Sequence, residues 1–73
     1  MSIQNEFEKN KIAKGRFYKA QRAMLGLRQI DVAEAIGTSQ GFLSQIEIGN
    51  KCSERIEKKL NEFYEKNSQE GTQ

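Results

Sequence analysis

The stretch QIDVAEAIGTSQGFLSQIEIGN, residues 29–50, decides the fold of this chain. Its first half places Val32, Ala33 and Ile36 at i, i+1 and i+4, which predicts a short helix over 29–36 with an apolar inner face. Gly37 follows at the point where a sharp turn needs a residue that accepts a positive φ. The whole stretch lacks lysine and arginine, although the 73-residue chain carries 12 basic and 10 acidic residues.

The second half of this stretch predicts a second short helix. Ser39 can cap a helix over 40–48 by accepting a hydrogen bond from a free backbone amide in the first turn. Leu43 and Ile46, three residues apart, point towards the core, and Gly49 ends the helix. Two helices joined by a turn of three or four residues form a helix-turn-helix unit, which DNA-binding proteins place with the second helix in the major groove.

The spacing within this unit has a physical reason. Ala33 must be small, because the second helix of the unit crosses close over it, while Leu43 and Ile46 fill the wedge between the helices. Together with Gly37 these residues make a four-point pattern that few unrelated sequences meet by chance.

The flanking segments predict further helices. Gly15 is expected to interrupt the pattern before a helix from about Arg16 to Leu25, which Gly26 ends. Residues 1–13 are then either a short leading helix or a loosely held arm. The fold class is therefore all-α, a compact domain of four to five helices over residues 14–66 with its helix-turn-helix unit at 29–48.

The last helix is predicted to begin after Ser53. Ile56, Leu60 and Phe63 repeat at i, i+4 and i+7 as its core stripe, and Tyr64 borders that stripe. The polar residues 67–73 have nothing to bury and are expected to be disordered.

Composition limits the classes of function. The chain has no histidine and a single cysteine, Cys52, so it lacks the usual proton-transfer group and an ordinary zinc site or disulfide. We expect no enzymatic activity, no metal and no cofactor. No apolar run approaches the roughly 20 residues of a membrane span, which predicts a cytoplasmic protein without membrane contact.

Charge is unevenly distributed along the chain. Residues 16–30 contain four basic residues and no acid, whereas residues 31–50 contain three acids and no base. A basic first third is compatible with phosphate contact, although such a run is also typical of a solvated helix face.

The run KAQRAMLGLRQIDVAEAIGTSQGFLSQIEIGNK, residues 19–51, resembles the Cro/CI-like phage-repressor helix-turn-helix family. The likeness covers roughly residues 14–64 and implies a lambda-repressor-like fold. The matching positions are Arg22, Gly26-Leu27, Gln29, Val32-Ala33, Ile36-Gly37, Ser39-Gln40 and Ile46-Glu47-Ile48-Gly49.

The resemblance implies two sets of contacts to double-stranded DNA. The base-reading set is Gln40, Gly41, Phe42, Ser44 and Gln45, and the phosphate set is Arg22, Arg28, Gln29, Ser39, Asn50 and Lys51. Gln40 would meet adenine through the two-pronged amide contact, with Gln29 bracing it. Outside such a motif, glutamine and serine on an exposed helix face are usually only solvated.

Several residues depart from the family pattern. Arg28 stands where a threonine or serine usually caps the helix, and Gly41 weakens the recognition helix. Ile30, Phe42 and Ile48 are apolar where the family is usually polar. One interpretation of all three is packing or no specific role; the alternatives are a thymine methyl contact for Phe42 and protein contacts for Ile30 and Ile48.

The sequence therefore predicts a DNA-binding transcriptional regulator of bacterial or phage origin. It is expected to repress by binding an inverted repeat as a homodimer, with Phe63, Tyr64 or the N-terminal arm at the dimer contact. One alternative is the antitoxin of a toxin-antitoxin pair, which would bind its toxin through the C-terminal tail or through Ile30 and Ile48. The other is a protein-binding module that binds another regulator and no DNA.

Overall fold

A computed structural model describes residues 3–71 of the chain, and the side chains of residues 9–67. Within that range the chain forms four helices and no strand: α1 (Ile3–Met24), α2 (Gln29–Ile36), α3 (Gln40–Ile48) and α4 (Glu54–Gly71). The predicted all-α fold is confirmed, and α2 and α3 have the predicted bounds.

The turn between α2 and α3 is built as its sequence predicts. Gly37 adopts a left-handed φ of 79°, and the amide of Thr38 donates to the carbonyl of Ala33 at 2.9 Å. Ser39 is extended, and its hydroxyl accepts a hydrogen bond from the amide of Phe42 at 3.1 Å. The free backbone groups at both ends of the turn thus find hydrogen-bond partners close by in the sequence. Residues 37–39 therefore set the angle between the two helices.

Helix α1 differs from the sequence-based expectation. It continues through Gly15, where a break was predicted, and so joins the expected arm or short helix to the rest of the domain. The glycine is needed for close packing, because a Cβ there would lie 2.5 Å from the main-chain oxygens of Ile46 and Glu47. Gly49 serves the same junction, since a Cβ on it would lie 2.8 Å from Ile12. These two glycines let α1 approach the C-terminal end of α3.

One hydrophobic core joins all four helices. Its buried members are Tyr18, Val32, Ala33, Ile36, Leu43, Ile46, Ile56, Leu60 and Tyr64. On α4 the buried stripe continues from Leu60 to Tyr64, and Phe63 lies partly exposed beside it. Tyr64 therefore lies in the buried stripe where Phe63 was predicted, and Phe63 lies at the border of the stripe where Tyr64 was predicted. Helix α4 also runs to Gly71, past residue 67 where a disordered tail was predicted, while residues 72 and 73 lie outside the described range.

The two buried tyrosines have different surroundings. The hydroxyl of Tyr18 donates to Glu57 at 3.3 Å and accepts from Asn61 at 3.5 Å. The buried hydroxyl of Tyr64 has no hydrogen-bond partner among the described residues, and burial raises its pKa to about 12. Burial and the neighbouring Glu57 carboxylate also raise the pKa of Tyr18. Ser53 precedes α4 as predicted, and its hydroxyl accepts a hydrogen bond from the amide of Ile56 at 3.4 Å.

Candidate nucleic-acid interface

The predicted base-reading residues lie together on the first two turns of α3. Gln40 and Gly41 are exposed, Ser44 and Gln45 are half-buried, and Phe42 packs in part against the core. A Cβ atom added at Gly41 would meet no atom within 4 Å, so another molecule can approach the backbone closely there. The helix thus presents amides, a hydroxyl and bare backbone on one accessible surface.

A chain of polar contacts connects this surface to the interior. The amide nitrogen of Gln40 donates to the Gln29 side-chain oxygen at 3.4 Å, as the predicted brace requires. Gln29 in turn donates to Oε1 of Glu47 at 2.9 Å. The Arg22 guanidinium donates to both Glu47 oxygens, at 2.8 and 3.0 Å. Three helices are therefore joined by one hydrogen-bonded network that ends at Gln40.

Glu47 is the centre of this network, and sequence reasoning did not assign it that role. Its side chain is only 2% exposed, and it accepts from Arg22 on α1 and from Gln29 on α2. A buried carboxylate needs such partners, because an unpaired buried charge is strongly unfavourable. The signal available in the sequence was a lone acid at an inward-facing position, one residue after Ile46.

Arg22 takes an internal position in the structure. Its side chain is 15% exposed, and besides Glu47 it donates to the carbonyl oxygen of Leu27 at 2.9 Å. The hydrogen bonds that it donates to the Glu47 carboxylate raise the pKa of the guanidinium. These contacts use three of the five guanidinium N–H groups and hold the charge against Glu47, so the structure favours an internal role for Arg22 over the predicted phosphate contact.

Arg28 is exposed but paired. It makes no side-chain cap to α2, as predicted, and donates to both oxygens of Asp31 at 2.9 and 3.1 Å. Hydrogen bonding to Arg28 lowers the pKa of Asp31. The pair keeps the guanidinium at the start of α2, where a phosphate contact was expected.

The loop after α3 supports a base-reading residue. The Asn50 amide donates to the Gln45 side-chain oxygen at 3.1 Å, a contact that the sequence did not reveal. Lys51 beside it is exposed. The cap hydroxyl of Ser39 is at the opposite end of α3, so the expected phosphate contacts flank the reading surface on both sides.

The expected partner-contact residues divide into two groups. Ile30 and Ile48 are exposed to 40% and 56%, and Phe63 is partly exposed. Tyr64 belongs to the core at 3% exposure, so only Phe63 of the two aromatic residues is available to a partner.

Comparison with known proteins agrees with this geometry. A family model described as helix-turn-helix matches residues 19–67, about two thirds of the chain. The chain belongs to the Cro/CI-type helix-turn-helix family. It is thus a DNA-binding transcriptional regulator in the general sense of that family. No curated protein and no solved structure matched it.

The described helices differ from membrane-spanning helices, because none of them is long and apolar enough to cross a membrane. No group of three or more histidine, cysteine, aspartate or glutamate side chains is placed to hold a metal ion within the described part of the chain.

Proposed function

We propose that this helix-turn-helix protein is a cytoplasmic repressor that binds an inverted-repeat operator as a homodimer. In this proposal α3 enters the major groove, where Gln40, Ser44 and Gln45 contact base edges beside Gly41. Phe42 contributes a smaller apolar contact, because part of its ring already packs on the core.

The hydrogen bond between Gln29 and Gln40 carries this proposal. It uses one amide N–H of Gln40 and leaves the second N–H and the carbonyl oxygen on an exposed side chain. Adenine presents one acceptor and one donor in the major groove, which matches these two free functions. The brace therefore favours adenine at the position that Gln40 reads.

Gln45 is held in a different way. Its carbonyl oxygen already accepts from Asn50, which leaves both amide N–H groups as donors. Such a side chain suits a base edge that offers acceptors, as guanine does with N7 and O6. We therefore expect Gln40 and Gln45 to select different bases.

Contacts to the DNA backbone would position the reading helix. Arg28 and Gln29 lie at the start of α2, Ser39 lies at the start of α3, and Asn50 and Lys51 follow α3. A helix N-terminus also favours a phosphate through its free amides. These contacts carry no sequence information but fix the register of α3 on the duplex.

Dimerisation is proposed because a single unit touches few base pairs. Two units about one helical turn apart, roughly 34 Å, would read two half-sites. The groove between α2 and α4, with a volume of about 310 Å³, is lined by Ala35, Ile36 and Phe63 among others. In this proposal a second copy of the chain contacts the aromatic side chain of Phe63 in this groove.

Protein binding is a second candidate function, and the exposed apolar side chains favour it. Met24 is 80% exposed, and Ile30 and Ile48 are also accessible. An antitoxin would combine such contacts with DNA binding, whereas a pure protein-binding module would lack DNA binding.

Selection of duplexes from a random pool tests the proposal. Enrichment of an inverted repeat, together with a dimer mass in sedimentation equilibrium on the selected duplex, is the expected result. Failure to bind any duplex at low salt would contradict the proposal and favour the protein-binding module. Co-purification of a stoichiometric protein with retained DNA binding would support the antitoxin.

A further inference from the structure

A groove with a volume of about 620 Å³ lies between α1 and α3. Ile12, Arg16 and Lys19 line it from α1, and Ser44 and Ile48 line it from α3. The α1 residues are spaced i, i+4 and i+7, and the α3 residues i and i+4, so each set forms one face of its helix. The groove is thus bounded by two regular helix faces.

The charge of this groove is positive. Its inner surface includes Arg22 and Glu47, but these two neutralise each other in their ion pair. Arg16 and Lys19 are exposed, and no ion pair is formed by either of them with the side chains described over residues 9–67. Residues 9–30 contain no aspartate or glutamate, so no acid of α1 offsets these charges over that range. Two cations therefore face the groove without compensation.

The α3 wall of the groove continues the proposed reading surface. Gln40, Ser44 and Ile48 are spaced i, i+4 and i+8, so one line along α3 runs from the braced glutamine to the groove. Gln29, which braces Gln40, also lines the groove. If α3 lies in the major groove of DNA, the DNA strand beside it would pass along the opening of this protein groove.

We propose that this groove holds the sugar-phosphate backbone of one DNA strand. Arg16 and Lys19 each bind a phosphate, while Ile12 and Ile48 contact deoxyribose, whose carbon atoms suit the apolar parts of both walls. This inference rests on the proposed DNA binding and adds α1 to the contact surface. It also explains how a recognition helix without lysine or arginine binds a polyanion, because the neighbouring helix supplies the charge.

The salt dependence of binding tests this proposal in the 73-residue chain. Each phosphate contact adds about 0.9 to the slope of log affinity against log salt concentration. The double variant Arg16→Gln, Lys19→Gln is expected to lower the magnitude of the slope by about 1.8. Between 50 and 200 mM salt, the wild type should then lose about 12-fold more affinity than the variant. Base preference should stay unchanged, because phosphate contacts do not read sequence.

Two control variants isolate the groove. Arg55→Gln, Lys58→Gln makes the same change in net charge at exposed positions of α4 outside both grooves, and should keep the wild-type slope. Arg16→Lys, Lys19→Arg keeps both charges and should also retain it. Circular dichroism confirms that each variant folds, which is expected for exposed helix positions.

The remaining outcomes overturn the inference in distinguishable ways. An unchanged slope in Arg16→Gln, Lys19→Gln would overturn it, because neither side chain would then bind a phosphate. An equal decrease in both double variants would assign the effect to net charge alone. If the wild type binds no duplex at low salt, the proposed function fails first, and the inference fails with it.

Discussion

The carboxylate of Glu47 receives two hydrogen bonds from the guanidinium of Arg22, at 2.8 and 3.0 Å, across 25 positions of the chain. This pair ties the C-terminal half of α3 to α1, and through Gln29 it also holds α2. The same carboxylate therefore serves both the stability of the domain and the orientation of Gln40.

Removal of Glu47 should be strongly destabilising. Glu47→Ala leaves the Arg22 charge in a largely buried position, which typically costs about 3–5 kcal/mol of unfolding free energy. Denaturant unfolding measures this loss. The control is Asp31→Ala, which breaks the exposed pair with Arg28 and should cost much less. Equal losses in the two variants would show that the Glu47 pair is not a buried anchor.

The same glycine substitution should have opposite effects at two positions. Gly15→Ala places a methyl group against the main chain of α3 and should destabilise the domain by about 1–3 kcal/mol, despite the better helix propensity of alanine. Gly41→Ala meets nothing within 4 Å and should stabilise α3 by up to about 1 kcal/mol. Thermal unfolding compares them. A neutral Gly15→Ala would contradict the close approach of α1 to α3.

The two buried tyrosines should respond differently to loss of the hydroxyl. Tyr18→Phe removes hydrogen bonds to Glu57 and Asn61, and should cost about 1 kcal/mol. Tyr64→Phe removes a buried hydroxyl that has no partner among the described side chains, so it should be neutral or stabilising at pH 7. A loss for Tyr64→Phe as large as that for Tyr18→Phe would show that the Tyr64 hydroxyl is satisfied.

The raised pKa of Tyr64 predicts that the domain loses folding stability at high pH. Its folded pKa of about 12 lies above the ordinary value of 10, so the unfolded chain loses this proton first as pH rises. The stabilisation is complete below pH 10 and declines by about 2–3 kcal/mol as the pH approaches 12. Unfolding of wild type and Tyr64→Phe at pH 9–12 measures the difference. Parallel pH profiles for the two proteins would contradict the buried neutral phenol.

The helix-turn-helix unit could be predicted because its signals are local. The left-handed Gly37 and the cap at Ser39 act within a few residues of their own positions. The break predicted at Gly15 was wrong for the opposite reason. The purpose of this glycine is to admit the main chain of Ile46 and Glu47, a contact that no local pattern reveals.

The site was predicted in part for the same physical reason. The brace between Gln29 and Gln40 follows from a motif spacing, whereas the contact of Arg22 with Glu47 depends on how α1 crosses α3. On α4, spacings of three and four residues are both helical, so the sequence could not decide which aromatic residue would be buried. Packing against the other helices placed Tyr64 in the core.

Base discrimination by Gln40 is the most direct test of whether α3 reads DNA. Wild type and Gln40→Ala are titrated with the selected duplex and with one changed at a single base pair in each half-site. Gln21→Ala, a glutamine variant on the side of α1 that faces α4, serves as the control. We expect the wild type and control to lose about 1–3 kcal/mol at the position read by Gln40, and Gln40→Ala to bind both duplexes equally. If Gln40→Ala keeps the full affinity and preference of the wild type at every position, α3 does not read DNA through this residue.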